Sequence, residues 1–273
     1  MTTTRARRDA FLATTAQRRT LMGIVNVTPD SFSDGGRFET RDAALAQARQ
    51  LVSDGADIID IGAESTRPGH TPISADEEWR RLEGTLPALI KALDVPVSID
   101  TTKAVVAAKA VDAGAGIVND IWGLQGDGGM AEVVAAKGAA IVIMHNRHTR
   151  DPAIDIVDDM RRFFERSLNI AQRAGIPDAH VILDPGIGFG KTKDQNFSAL
   201  AAVPQVKEFG RPILIGVSRK SLFGALLGVP TDERLIPTLA ANLAAAATGA
   251  DIFRVHDVRE HRIALTVFDA LKL

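Results

Sequence analysis

The chain contains no cysteine, which removes disulfides, thiolate zinc sites, iron–sulfur clusters and thiol nucleophiles together. A reducing compartment fits that absence, and a cytoplasmic protein is the expectation. No run of about 18 or more consecutive apolar residues occurs, so neither a spanning helix nor a membrane partner is expected. Charge of one sign is scarce as well. The formal net charge is −2, so nothing global attracts nucleic acid or an anionic membrane, and any anion site must be local. What is present is ordinary for a globular protein: 45% hydrophobic and 24% charged residues in a chain of 273, enough for one α/β domain with a sizeable core.

Residues 1–20 carry Arg5, Arg7, Arg8, Arg18 and Arg19 against one acid, Asp9. They read as an N-terminal extension leading into the first strand, with a transit peptide as the other reading. From residue 21 to 273 one pattern repeats: a short apolar run, a polar or Gly-rich stretch, then an Ala-rich helical stretch. The runs are Leu21–Val27, Asp57–Ala63, Val95–Asp100, Gly116–Asp120, Ala139–His145, His180–Pro185, Pro212–Val217 and Asp251–His256. They are continuous rather than alternating, as strands covered on both faces are. Helices are expected over Ala43–Ser53, from Ser74, and over Thr102–Ala113, Met130–Lys137, Ile154–Ala174, Asn196–Val206, Glu233–Thr248 and Val258–Leu271. Small turns such as "AGAG", "KGAA" and "TGAD" join several helices to the next strand. Eight such units predict a single-domain α/β fold, the (β/α)8 TIM barrel. An open doubly wound sheet is the rival, but it often opens on a Gly-rich dinucleotide turn that is missing here.

In such a barrel the chemistry lies just beyond the strand ends, at one rim. The strands lead into Asn26, Glu64–Arg67, Asp100, Asn119–Asp120, His145, Asp184, Ser218–Lys220 and Arg254–His256. One strand-end Asp or Asn usually caps a turn, but eight polar ends in phase indicate a site. Arg67, Lys220, Arg254 and His256 suit a phosphate or diphosphate, and Ser221 is placed to open a helix beside it. Asp100, Asn119 and Asp184 suit the edge of a nitrogen heterocycle. "GIGFGKT" (Gly186–Thr192) resembles a phosphate-binding loop, but the required first glycine falls on Pro185, so that reading is rejected. Two long loops, Asn26–Phe38 and Glu64–Ser74, have the character of lids.

These motifs together resemble dihydropteroate synthase from about residue 21 onward: "MGIVNVTPDSFSDGG" at Met22–Gly36, "DIGAESTRPG" at Asp60–Gly69, "SIDT" at Ser98–Thr101, "VNDI" at Val118–Ile121, "LDPGIGFGKT" at Leu183–Thr192, "SRKS" at Ser218–Ser221 and "RVHDV" at Arg254–Val258. The resemblance implies transfer of a dihydropterin-methyl group from its diphosphate to p-aminobenzoate. It implies pterin contacts at Asp100, Asn119, Asp184 and Lys220, and diphosphate contacts at Thr66, Arg254, Val255 and His256. Asn26 is implied as ligand to a Mg2+ cofactor. Phe32, Arg67, Pro68, Phe189 and Ser221 fall around p-aminobenzoate, with Asp34 and Arg67 on the closing loops. Asp100, Asp184, Lys220, Asp34 and Arg67 are the expected catalytic set, and a homodimer is implied too. A pterin-dependent methyltransferase, which needs no diphosphate clamp, and a non-catalytic pterin binder are the rival readings. The chain departs from the family pattern at "MHNRHTRDP" (Met144–Pro152) and at Trp122.

Overall fold

Each of the eight apolar runs forms a parallel strand: β1 (Thr20–Asn26), β2 (Ile58–Gly62), β3 (Val97–Asp100), β4 (Ile117–Asp120), β5 (Ala140–Met144), β6 (Val181–Asp184), β7 (Leu214–Ile215) and β8 (Ile252–Val255). The computed structural model describes residues 3–27, 37–64 and 71–271. The strands form one sheet in the order β6-β5-β4-β3-β2-β1-β8-β7. The Leu183 N–H donates to the Pro212 carbonyl at 2.9 Å, and a parallel bridge joins Leu183 to Ile213. That contact brings β6 to β7 and rounds the sheet into the expected (β/α)8 barrel. Several strands are a residue or more shorter at each end than their apolar runs, because ladder hydrogen bonds stop before the apolar side chains do.

Successive side chains on a strand point to opposite faces. Met22, Ile58, Ile117, Ala140, Val142, Ile182, Leu214 and Ile252 point inward and fill the N-terminal end of the barrel. Ile59, Ile61, Val97, Ile99, Val118, Ile141, Ile143, Leu183, Phe253 and Val255 point outward, into the core beneath the helices. Both faces are thus apolar, which explains the unbroken hydrophobic runs. Two residues beyond the inner plug, the inward positions become Asp60, Asn119, Asp184 and Arg254. The barrel is apolar below and polar above.

The helical layer comprises α1 (Thr4–Thr15), α2 (Arg37–Ser53), α3 (Ala75–Leu82), α4 (Leu86–Ala92), α5 (Ala104–Ala113), α6 (Met130–Lys137), α7 (Ile156–Ala174), α8 (Lys193–Ala201), α9 (Val203–Lys207), α10 (Ser221–Leu227), α11 (Leu235–Ala247) and α12 (Val258–Ala270). Ser74 caps α3, its side chain accepting from the Glu77 N–H at 3.2 Å. The single helix expected over Asn196–Val206 is two, α8 and α9, divided just before Pro204, which lacks the N–H a continuous helix requires. Helix α4 follows Thr85 with a proline in its first turn and was not expected from the pattern. Among the described residues, no helix is long and apolar enough to cross a membrane.

The N-terminal residues form more than a linker. Phe11 of α1, 4% exposed, joins the inner plug and closes the barrel floor. Arg7 donates to the Leu93 and Ile90 carbonyls at 2.7 and 3.2 Å, where α4 ends, and Arg8 donates to the Gly138 carbonyl past α6. Cations at helix C-termini complement the dipole and use otherwise orphaned carbonyls. Phe11→Ala is expected to cost about 3 kcal/mol of folding stability, measured by urea denaturation. A cost under about 1 kcal/mol would show that α1 does not seal the floor.

Candidate active site at the barrel mouth

Arg254 stands in the centre of the polar layer. Its Nε donates to Asp60 Oδ2 at 2.6 Å and its Nη2 to Asp100 Oδ2 at 2.8 Å, so β8 is tied to β2 and β3. Asn119 on β4 donates from Nδ2 to the same Asp60 oxygen at 3.1 Å. Asp60 and Asp100 are both buried, and the second oxygen of each, Oδ1, is buried without a hydrogen-bond partner. Burial pushes the Asp100 carboxyl up to about 7; Arg254 opposes that shift, while Asp60 adds to it. Burial also works against charge on Arg254, but the carboxylates of Asp60 and Asp100 more than offset it, and its pKa is raised. Two buried acceptor oxygens without partners are suited to N–H donors of a planar ligand.

The opposite wall is built by β6, β7 and the segment after β6. Asp184 Oδ1 accepts from the Gly186 N–H at 2.7 Å. Burial raises the Asp184 carboxyl, with Lys220 pulling the other way. The Lys220 ammonium donates to the Ile187 carbonyl and lies 4.4 Å from the Phe189 ring centroid. Desolvation pushes its pKa down to about 8, against the attraction of Asp184. Lys220 precedes α10, and Ser221 opens that helix, exposed at the rim. Just before it, Arg219 adopts φ 55°, in the left-handed region. That turn is held by the Arg219 N–H on Thr238 Oγ1 at 3.1 Å and by Arg234 on the Arg219 carbonyl at 3.2 Å.

His256 is oriented by the segment after β7. Its Nδ1 lies 2.9 Å from Ser218 Oγ, and its backbone N–H donates to the same oxygen at 3.1 Å. Asn26 ends β1 in register with Gly62 of β2, which pairs in turn with Asp100 of β3, so one strand separates Asn26 from Asp100. Among the described residues no group of three His, Cys, Asp or Glu side chains assembles to hold a metal.

Comparison with known proteins fits this geometry. Residues 22–256 match the family described as pterin binding enzyme. The chain is 44% identical to the dihydropteroate synthase of Clostridium beijerinckii over 93% of its own length and 95% of the relative's. It is 41% identical to that of Escherichia coli, covering 92% and 90%. The chain belongs to the dihydropteroate synthases. It is accordingly a transferase of folate biosynthesis. The crystal structure of the Clostridium difficile dihydropteroate synthase in the presence of pteroic acid superposes with a TM-score of 0.91 at 45% identity, covering 93% and 97% of the two chains. The Xanthomonas albilineans dihydropteroate synthase with 4-aminobenzoic acid gives a TM-score of 0.90 at 42% identity, with 93% of each covered.

For the dihydropteroate synthase site, the structure brings together Asp100, Asn119, Asp184, Lys220, Arg254 and His256 at one mouth, with Phe189 against Lys220. Phe32, Asp34, Thr66, Arg67 and Pro68 lie outside the described residues. Val255 has its side chain fully buried in the helix-facing core, one position out of phase with Arg254 and His256, so a contact from it would be made by its backbone. Three other strand-end groups also turn away from the mouth. His145 packs on Phe163 of α7 with its Nε2 3.1 Å from Asp159, and burial drives its pKa down to about 4. Asp120 caps its own turn through the Trp122 and Leu124 N–H groups, at 2.9 and 2.7 Å. Arg219 pairs with Asp257, which follows His256. The two departures from the family pattern meet each other, since Trp122 and His148 stack with centroids 4.2 Å apart.

Asp60 was not among the expected site residues, and Ser218 stood among the polar strand ends without an assigned role. The signal for Asp60 lay in its phase, two positions beyond inward-facing Ile58, whereas attention to strand ends passes over it. Asp60→Ala leaves Arg254 and Asn119 each short of a partner and is expected to lower kcat/KM by at least about tenfold in steady-state assays. A change smaller than about twofold would mean that Arg254 needs no second carboxylate.

Proposed function

We propose that the chain joins p-aminobenzoate to 6-hydroxymethyl-7,8-dihydropterin diphosphate, releasing diphosphate and forming 7,8-dihydropteroate. The observation that carries this reading is the Arg254 guanidinium bridging Asp60 and Asp100, with the unpartnered oxygen of each carboxylate buried at the pterin end of the mouth. On this reading Asp100, Asn119, Asp184 and Lys220 take the edge of the heterocycle, and Arg254, His256 and Thr66 take the diphosphate. Phe189 and Ser221 border the arylamine beside Lys220, and the loops bearing Phe32, Asp34, Arg67 and Pro68 close over both substrates.

The reaction breaks the bond between the methylene carbon and the diphosphate oxygen. Positive charge left on the carbon spreads into the electron-rich dihydropterin, where the carboxylates of Asp100 and Asp184 stabilise it. The arylamine nitrogen, uncharged at neutral pH, attacks that carbon and then releases a proton, so no strong general base and no covalent enzyme intermediate are required. Closure of the loops keeps water from capturing the cation.

Asn26 fits a role toward magnesium. Its amide is a hard oxygen donor at the rim with no hydrogen bond to another described residue, and Mg2+ is typically bound by one or two protein oxygens together with water and substrate phosphate. Asn26 would hold the ion, which when bound neutralises charge on the departing diphosphate. A cytoplasmic homodimer completes the proposal. The exposed side chains of Ile236 on α11 and of Ile263 and Val267 on α12, at 77%, 59% and 59%, offer an apolar face for it.

A magnesium-dependent diphosphate-release assay with p-aminobenzoate tests the reading, and sulfonamides are expected to compete with the arylamine. Absence of release with both substrates present would reduce the chain to a pterin binder. Asp100→Ala should lower turnover by at least about 100-fold while diphosphate affinity changes far less; equal losses would contradict the role given to Asp100. Since Asp100 must be ionised to stabilise the cation, kcat/KM should rise with pH through about 7, the value to which burial lifts its carboxyl. That limb should flatten in Asp100→Asn, and a limb unchanged by the substitution would assign it to another group.

A further inference from the structure

The lysine of the "GIGFGKT" segment (Gly186–Thr192) binds no phosphate in the proposed reaction, yet it is among the most enclosed side chains of the protein, at 2% exposure. A lysine is seldom buried unless its donors are used. Here all three are. The Lys191 ammonium donates to the carbonyls of Gly186 at 2.8 Å, Phe189 at 3.2 Å and His145 at 3.4 Å. Two of those carbonyls flank Ile187, whose own carbonyl receives the Lys220 ammonium, and one belongs to Phe189, whose ring lies under that ammonium. The third comes from the segment after β5, against which Gly186 lies so closely that a Cβ there would overlap the His145 carbonyl oxygen.

The same segment leaves room for the Lys220 stem. Gly188 has φ 90°, and a Cβ on it would stand 3.0 Å from Lys220 Cδ. Its N–H is pegged to Asn196 Oδ1 at 2.6 Å. The backbone from residue 186 to 190 is therefore a two-sided seat for one cation, with a second cation gathering it from beneath.

We propose that Lys191 is a positioning residue for Lys220: by collecting the Gly186, Phe189 and His145 carbonyls it holds the Ile187 carbonyl and the Phe189 ring where they aim the Lys220 ammonium into the pterin pocket. Lys191 itself touches no substrate. The inference rests on the reading of Lys220 as a pterin ligand, and the test separates the two.

Calorimetric titration of 6-hydroxymethylpterin, and separately of inorganic diphosphate, is applied to the wild-type enzyme, Lys191→Met, Lys220→Met and the double variant. Lys191→Met is expected to weaken pterin binding about tenfold and to leave diphosphate binding within about twofold, whereas a general loosening of the fold weakens both. In the Lys220→Met background the Lys191 substitution should cost almost nothing more, because the residue it positions is gone. Equal losses for both ligands, no loss for the pterin, or the same loss with and without Lys220 overturns the proposal. If Lys220→Met alone leaves pterin affinity unchanged, the assignment of Lys220 fails, and the positioning role falls with it. Should Lys191→Met not fold, Lys191→Gln, which keeps two donors on a shorter stem, is taken through the same cycle with an intermediate loss expected.

Discussion

Everything at the mouth of this barrel depends on one guanidinium held between two buried carboxylates. Arg254 on β8 reaches across β1 to Asp60 on β2 and Asp100 on β3, whose inward side chains converge because the sheet curls into a barrel. Such a group is a poor choice for stability, since removing charges from water costs about as much as their attraction returns. It is a good choice for a binding surface. One positive and two negative side chains leave a deficit of positive charge and two unpartnered acceptor oxygens, and a heterocycle with N–H donors that becomes cationic as it reacts meets both needs.

The electrostatics of the pocket are graded accordingly. Burial raises the carboxyls of Asp100 and Asp184 and lowers the ammonium of Lys220, so three groups are moved toward their neutral forms by the same desolvation. Each charge is restored in part by its neighbour: Arg254 for Asp100, Lys220 for Asp184. A site arranged in this way responds strongly to a ligand's charge. Rigidity comes from beneath and behind. Lys191, Asn196, Thr238 and Arg234 all hold backbone of the segments that carry Phe189 and Lys220, so the polar tips at the mouth stand on hydrogen-bonded turns.

Much of this was legible from the residues in order. Continuous apolar runs such as Ala140–Met144 can be satisfied only by burial on both faces, and eight of them separated by helical stretches leave few architectures. The polar ends of β3, β6 and β8 were equally visible, because Asp100, Asp184 and Arg254 interrupt runs that are otherwise apolar. What failed was the assumption that every strand-end polar group faces the same way. His145 and Asp120 stand at similar places in the sequence, but one lies on the helix-facing side and the other bends back onto its own turn. The Val255 side chain likewise lies one residue out of phase with its neighbours. A short motif names residues in a row, whereas a strand shows alternate ones to each face.

By itself, the order of residues determined the number of strands, the family and the kind of chemistry at their ends, because hydrophobic periodicity and the types of side chain are local properties. Only the tertiary structure decided which of those groups meet. Asp60 and Arg254 are separated by 194 positions along the chain and by 2.6 Å in space. Lys191, whose segment the glycine spacing had already denied a phosphate role, spends its three donors inside the fold. Barrel closure brings distant strands into one ring, and the phase of each strand selects which side chains enter it; neither is contained in any single segment.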